Sequence, residues 1–210
     1  MSLISTLDCP QDRIQFELHS GHFVAGLAYQ VTRDLQPDEC VSKCRMETNC
    51  RSLNIDYQRG LCEYSARGMV EKSLKRSPKH NFFEKICLTS DTAAVACDVR
   101  DWAFERVRGK ELVGIPHEKV LIREAKTRAQ CQTACVDYPL FICRSAEWRQ
   151  AEGQCRLSPY NRFSTADDRV KLEPSKGMSA EVDYLENNCA HGKFPNMSPK
   201  FISLDATICV

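Results

Sequence analysis

Gln36-Pro37-Asp38-Glu39-Cys40-Val41-Ser42-Lys43-Cys44-Arg45-Met46-Glu47-Thr48-Asn49-Cys50-Arg51-Ser52 is the stretch whose reading decides the fold of this chain. Pro37 suits a first helical position, because its missing N–H would have no partner there and its fixed φ is already helical. Glu39, three residues after Gln36, can meet the free amides of the first turn. Cys40 and Cys44 then fall four apart on one helical face, so both sulfurs point at the same layer. The next segment supplies that layer. Leu53, Ile55 and Tyr57 alternate with Ser52, Asn54 and Asp56, the period of a half-buried strand, and Arg59-Gly60 turns the chain into Leu61-Cys62-Glu63-Tyr64.

The pattern occurs twice. Cysteines stand at 9, 40, 44, 50, 62 and 87, then at 97, 131, 135, 143, 155 and 189, with Cys209 left over. The gaps are 31, 4, 6, 12 and 25 in the first set and 34, 4, 8, 12 and 34 in the second, which indicates a duplicated domain. Flanking residues agree: Gly21-His22-Phe23-Val24-Ala25-Gly26 matches Gly109-Lys110-Glu111-Leu112-Val113-Gly114, and Cys50-Arg51-Ser52 matches Cys143-Arg144-Ser145. The expected organisation is a linker over 1–8, a first domain over 9–87, a connector over 88–96, a second domain over 97–189 and a tail over 190–210. In the second repeat, Thr127-Arg128-Ala129-Gln130 reads as a capping box. Ala146 and Trp148 take the alternating strand positions, and a turn around Gly153 leads into Gln154-Cys155-Arg156-Leu157. Further strands are predicted at 15–18, 102–107, 81–86 and 181–185. The economical architecture is α+β, with one helix on a small antiparallel sheet in each repeat.

Thirteen cysteines in 210 residues imply an oxidising compartment. The rival reading is zinc, but zinc favours paired C-x2-C knuckles with histidine at metal spacing, whereas C-x3-C lies within a helix here and the five histidines are scattered. No metal and no cofactor are expected. Lys plus Arg is 29 against 28 for Asp plus Glu, so a net charge of +1 gives no global attraction to nucleic acid or to an anionic membrane. No run of 18 apolar residues and no secretory leader is visible, and the chain is read as a piece of a longer secreted or membrane-anchored protein.

Six cysteines permit fifteen pairings, and spacing alone does not choose among them. If the helix packs on the hairpin, its first cysteine reaches the later strand and its second the start of the earlier one. That gives Cys40 to Cys62 and Cys44 to Cys50, with Cys9 to Cys87 tying the ends. The same logic gives Cys131 to Cys155, Cys135 to Cys143 and Cys97 to Cys189.

This nested six-cysteine pattern, with its helical C-x3-C and C-R-S strand, resembles the PAN/apple domain superfamily, twice over. The resemblance implies a roughly five-stranded antiparallel sheet cradling one helix in each domain, with two helix-to-sheet bridges and an outer bridge. Cys155-Arg156-Leu157-Ser158-Pro159-Tyr160-Asn161-Arg162 and Asp183-Tyr184-Leu185-Glu186-Asn187-Asn188-Cys189 resemble phrases of the tandem PAN domains in arthropod and nematode cuticle proteins that carry a zona pellucida domain downstream. The first domain departs from those phrases at Tyr64-Ser65-Ala66-Arg67 and at Phe82-Phe83-Glu84-Lys85-Ile86-Cys87.

Recognised local signatures of catalysis are not found: the histidines lie in no H-E-x-x-H, and neither G-x-S-x-G nor a phosphate-binding glycine loop occurs. His22 and His117 read as rim residues, and Asp167-Asp168 beside Arg162 and Arg169 as a solvated ion cluster. One charge feature stands out. Arg67, Lys72, Lys75, Arg76 and Lys79 face only Glu71, and such a basic loop could meet the sulfates of a heparin-like glycan. Asn196-Met197-Ser198 is a glycosylation sequon, weakened by Pro199, and Cys209 is expected to be unpaired within this chain. The expected function is a non-catalytic extracellular interaction module of an apical extracellular matrix protein, serving matrix assembly and cell attachment through proteins or glycans, with self-assembly through the full-length protein. The alternatives are a glycan-binding adhesin module and the regulatory apple region of a secreted protease.

Overall fold

The structure, a computed structural model, describes residues 9–69, 73–90, 97, 101–115, 120–122, 124–164, 170–175 and 182–189, with 120–122 as backbone. Lys72, Asp167, Asp168, Arg169, His117, Asn196 and Cys209 lie outside the described residues, as do 1–8, 91–96 and the tail. A 3-10 turn at Gln11–Arg13 leads into strands β1 (Ile14–Val24) and β2 (Ala28–Arg33), helix α1 (Pro37–Met46), and strands β3 (Ser52–Asp56), β4 (Leu61–Ser65) and β5 (Leu74–Cys87). The second half repeats the order with β6 (Phe104–Arg108), β7 (Lys110–Val113), β8 (Val120–Ile122), helix α2 (Arg128–Val136), β9 (Ser145–Arg149), β10 (Gln154–Ser158), β11 (Lys171–Pro174) and β12 (Val182–Asn187).

Both helices start where their caps direct. The backbone N–H of Gln36 donates to Glu39 Oε2 at 2.7 Å. Thr127 Oγ1 accepts from the Gln130 N–H at 3.2 Å, while Gln130 Oε1 accepts from the N–H of Thr127 at 3.2 Å. The two hairpin turns carry glycines with positive φ, Gly60 at 61° and Gly153 at 59°, where a side chain would be strained. Cys40, Cys44, Cys131 and Cys135 are buried under the helices and bonded to Cys62, Cys50, Cys155 and Cys143; Cys9–Cys87 and Cys97–Cys189 join the ends of each unit.

Each half is a five-stranded antiparallel sheet, β2-β4-β3-β5-β1 and β6-β12-β9-β10-β8. The halves are not separate sheets. Strand β1 runs parallel to β6, with Glu17 opposite Phe104 and Leu18 opposite Glu105, which makes one sheet of ten strands. Like strands thus meet at the junction, and parallel pairing of like strands turns one half over relative to the other. Phe16 and Leu18 pack with α1, whereas Glu17, on the other face of the same strand, meets Arg128 and Gln132 of α2. The helices therefore cover opposite faces of the sheet. The cores are also exchanged: Trp102 packs into the first, edge-on to Phe83 at 6.0 Å, and Ile86 and Leu88 belong to the second.

Strand β3 corrects the expectation of a half-buried strand. All five of its residues are buried, Ser52, Asn54 and Asp56 included, because the distal end of β1 folds back over their face. Asn54 holds it there, its Oδ1 accepting from the Val24 N–H at 2.9 Å and its Nδ2 donating to the Val24 carbonyl at 2.8 Å. In the second half the β7–β11 ribbon occupies the same place, and Glu147 Oε1 accepts from the Leu112 N–H at 2.9 Å. Tyr57, expected to continue the buried alternation, lies beyond the strand and is 50% exposed.

Candidate functional site

Among the described residues, functional groups gather at the junction between the halves, at the basic end of β5, and in a phrase of the second half that closes on itself.

At the junction, Glu17 has no exposed surface. Its Oε2 accepts from Arg128 Nε at 3.0 Å and from Gln132 Nε2 at 2.6 Å. Its Oε1 lies 3.2 Å from His19 Nε2 and 3.8 Å from Arg106 Nη1. Arg106 continues to Asp183 at 2.7 Å, and Arg128 reaches Glu84 at 3.4 Å. Burial alone would raise the Glu17 carboxyl, but Arg128, His19 and Arg106 outweigh it and hold the group well below the usual carboxylate range. Glu84 moves the other way, raised by burial and by the charge of Glu17. Glu17, His19 and Glu84 bring one donor atom each within 4.8 Å of one another, a spacing a metal ion could use. The carboxylates already face two guanidinium groups, so the chemistry present is that of an ion-pair network tying α2 to the first half.

The basic segment is not the loop the sequence implies. Lys75, Arg76 and Lys79 lie on β5, whose first residues pair with the distal end of β1 through Phe23 with Lys75 and His22 with Arg76. All three are exposed, and neighbours on a strand face opposite ways, so the ribbon is basic on both faces. Arg67 is exposed but stands apart. It follows β4 next to Ser52, whose hydroxyl donates to the Arg67 carbonyl at 2.7 Å, whereas the Lys79 carbonyl accepts from Tyr57 at the far end of β3.

Beside the ribbon is a cleft of about 330 Å³ between the folded-back strand and the β3–β4 turn. His80 stacks on Phe23 with ring centres 4.8 Å apart, and its Nε2 lies 3.4 Å from Asp56 Oδ2. The Asp56 Oδ1 accepts from the backbone N–H groups of Gln58 and Arg59 at 2.9 and 3.1 Å, which fixes the carboxylate. Glu63 and the 75% exposed Arg59 complete a wall of acceptors and donors around an aromatic surface.

In the second half, two phrases distant in sequence meet. The Tyr184 hydroxyl accepts from the Arg162 N–H at 3.0 Å and donates to Glu186 Oε2 at 3.1 Å, and Arg162 Nε lies 3.1 Å from Glu186. A further guanidinium nitrogen of Arg162 bonds Glu105. The two halves of the sheet each have a buried helical C-x3-C and an outer bridge, and the sequence matches the PAN domain family over 9–87 and again over 97–189. The chain belongs to the PAN domain family. Among solved structures this tandem PAN chain is similar to the two N-terminal apple domains of Toxoplasma gondii microneme protein 4, at 15% identity and a TM-score of 0.30, covering 80% of this chain and 87% of that one. No curated protein matches it. PAN domains are extracellular binding modules, and no helix among the described residues is long and apolar enough to cross a membrane.

Sequence reasoning singled out the basic residues and missed the junction. Glu17 and His19 alternate with Phe16 and Leu18, so they read as the solvent face of a strand. Their partner Arg128 is 111 residues away from Glu17. Nothing in β1 itself marks them, since Gln15, Glu17 and His19 alternate with Ile14, Phe16 and Leu18 as on any strand with one polar face.

Proposed function

We propose that this chain is a non-catalytic interaction module of an apical extracellular matrix protein, presenting its two PAN domains as one rigid platform for matrix assembly and cell attachment. The observation that carries this reading is the ten-stranded sheet, closed at its centre by the buried Glu17–Arg128 pair. A continuous sheet fixes the outer surfaces of both domains relative to each other, so partners on the two sides engage at one geometry and reinforce each other through effective concentration. The zona pellucida relationship is supported by the Cys155–Arg162 and Asp183–Cys189 phrases, whose Arg162, Tyr184 and Glu186 form one bonded cluster. The test is retention of the oxidised chain on isolated apical matrix, alongside Arg128→Ala. Strong retention that falls in the variant supports the platform; no retention, or retention indifferent to the variant, refutes it.

A second reading is favoured by the ribbon and its cleft. Lys75, Arg76 and Lys79 would meet the sulfates of a glycan while Phe23, Asp56 and Arg59 take a sugar ring and its hydroxyls. Substituting all three basic residues by Gln is expected to lower the salt at which the chain leaves a heparin column, and an unchanged elution would refute the glycan site.

A further inference from the structure

A second pocket lies at the opposite end of β1, where the C-terminus of α1 approaches the Cys9–Cys87 bridge; it has a volume of about 130 Å³. Lys85 stands in it and is only 7% exposed. Its amine donates to the carbonyl oxygens of Glu47 at 3.0 Å and Arg45 at 3.5 Å, which leaves one ammonium proton unassigned to them. Arg45 and Arg51 line the same pocket, the Arg45 guanidinium donating also to the Ile14 carbonyl and lying 5.3 Å from the centre of the Phe16 ring, and Ile14, Met46 and Cys50 give the pocket an apolar wall. Glu47 is the acid of the lining, and its carboxylate is turned to the Tyr29 hydroxyl at 2.7 Å and to Lys43 at 3.9 Å.

The duplication within the chain shows that this cation is not demanded by the fold. The Lys85 N–H donates to the Arg51 carbonyl at 2.9 Å, and at the matching place the Asn187 N–H donates to the Arg144 carbonyl at 3.0 Å. Both residues stand two before the cysteine of the outer bridge. Asn187 is neutral and spends its side chain inward, donating to the Cys143 carbonyl at 2.8 Å. The first domain instead carries a buried ammonium in a pocket that Arg45 and Arg51 also line. Burial, then the charges of Arg45 and Arg51, push the Lys85 amine down to about 8, against the weaker opposing pull of Glu47. A buried cation with like-charged neighbours in a cleft marks a place where an anion relieves the cost.

We propose that this pocket receives a carboxylate from an acidic segment of a protein partner, with Lys85 at its floor and Arg45 and Arg51 at its sides. The small volume and apolar wall suit a single carboxylate on its methylene stem better than a hydrated, multiply sulfated sugar. This deepens the reading of the chain as a protein-binding module and rests on it. The site is separate from the basic ribbon, which lies beyond the bulge at the other end of β1.

The test uses the whole oxidised chain, a blocked hexapeptide of alternating Glu and Ala, its Gln counterpart, and a sulfated disaccharide. The readout is the Lys85 side-chain NMR signal across a pH titration. The Glu peptide is expected to shift that signal and raise the pKa of Lys85, with binding that weakens as pH rises through 8, while the Gln peptide does neither. Arg51→Gln is expected to weaken binding about tenfold with the NMR spectrum of the fold preserved, and Lys85→Gln to abolish it. Lys75→Gln/Arg76→Gln/Lys79→Gln is expected to bind normally. Equal effects of the Glu and Gln peptides, insensitivity to Arg51→Gln, or loss in the ribbon variant would overturn the proposal. Preference for the disaccharide would assign the pocket to glycans and overturn it as well. Matrix retention is scored separately, so a chain that is retained yet ignores the peptide refutes only this site.

Discussion

Arg128→Ala removes the centre of the junction. The substitution deletes the 3.0 Å bond to Glu17 and the 3.4 Å contact with Glu84, and leaves Glu17 fully buried with Gln132, His19 and the more distant Arg106. Breaking a buried ion pair costs about 3–5 kcal/mol because an uncompensated charge is left behind. Arg128 is 22% exposed and Glu17 retains other donors, which places the expected loss at about 3 kcal/mol. In a chain of this size that lowers Tm by about 6–12 °C. The pH dependence follows from the direction of the Glu17 shift. Its folded pKa lies below its unfolded value, so its contribution is complete above the unfolded carboxylate pKa and is lost as pH falls towards the folded one. The gap between native chain and variant is therefore widest at neutral pH and narrows below about pH 4. Denaturant titrations of the oxidised proteins at pH 7 and pH 3 measure it, with Arg59→Ala as an exposed control expected to change stability by less than about 0.5 kcal/mol. A loss below about 0.5 kcal/mol in Arg128→Ala would refute the buried-pair argument, and an equal loss at both pH values would show that the arginine acts through packing and not through charge.

Other perturbations separate the remaining contributions. Replacing Cys9 and Cys87 by Ser opens a loop spanning 78 residues, against 6 for Cys44 and Cys50; the loop-entropy relation gives about 4.5 and 2 kcal/mol, and denaturant midpoints should rank them in that order. Lys85 gives up its proton near pH 8 in the folded chain but higher in the unfolded one, so stability should rise with pH above 8. That slope, at most about 3 kcal/mol in total, should vanish in Lys85→Met when unfolding is followed between pH 7 and 10. Asn54→Ala leaves the Val24 N–H and carbonyl without their side-chain partner and should cost about 1–3 kcal/mol, with faster amide exchange at Val24.

Local signals carried the parts of the fold that could be read from sequence. The caps at Gln36 and Thr127, the four-residue cysteine spacing and the turns at Gly60 and Gly153 each depend on residues within a few positions of one another. Strands β2 and β7 were not legible. Val31 on β2 is 52% exposed at the sheet edge, and β7 folds into a two-stranded ribbon with β11, so neither shows the alternation of a core strand. The buried polar face of β3 was hidden for another reason: Asn54 and Asp56 look solvent-directed until the end of β1 is seen to cover them. The basic residues were identified by charge alone, but their division between a strand ribbon and a distant Arg67 depends on pairings across the sheet. The junction is the extreme case, since the parallel contact of β1 with β6 leaves no mark in either strand's own pattern.

The most direct test of the platform is residual dipolar coupling on the oxidised, weakly aligned chain, fitted separately for the strands of residues 14–87 and 104–187. One shared alignment tensor, with slow hydrogen exchange at the Ala103 amide that donates to the Phe16 carbonyl at 2.9 Å, is the predicted result. Two independent tensors would contradict a continuous sheet and leave the PAN domains as beads on a tether.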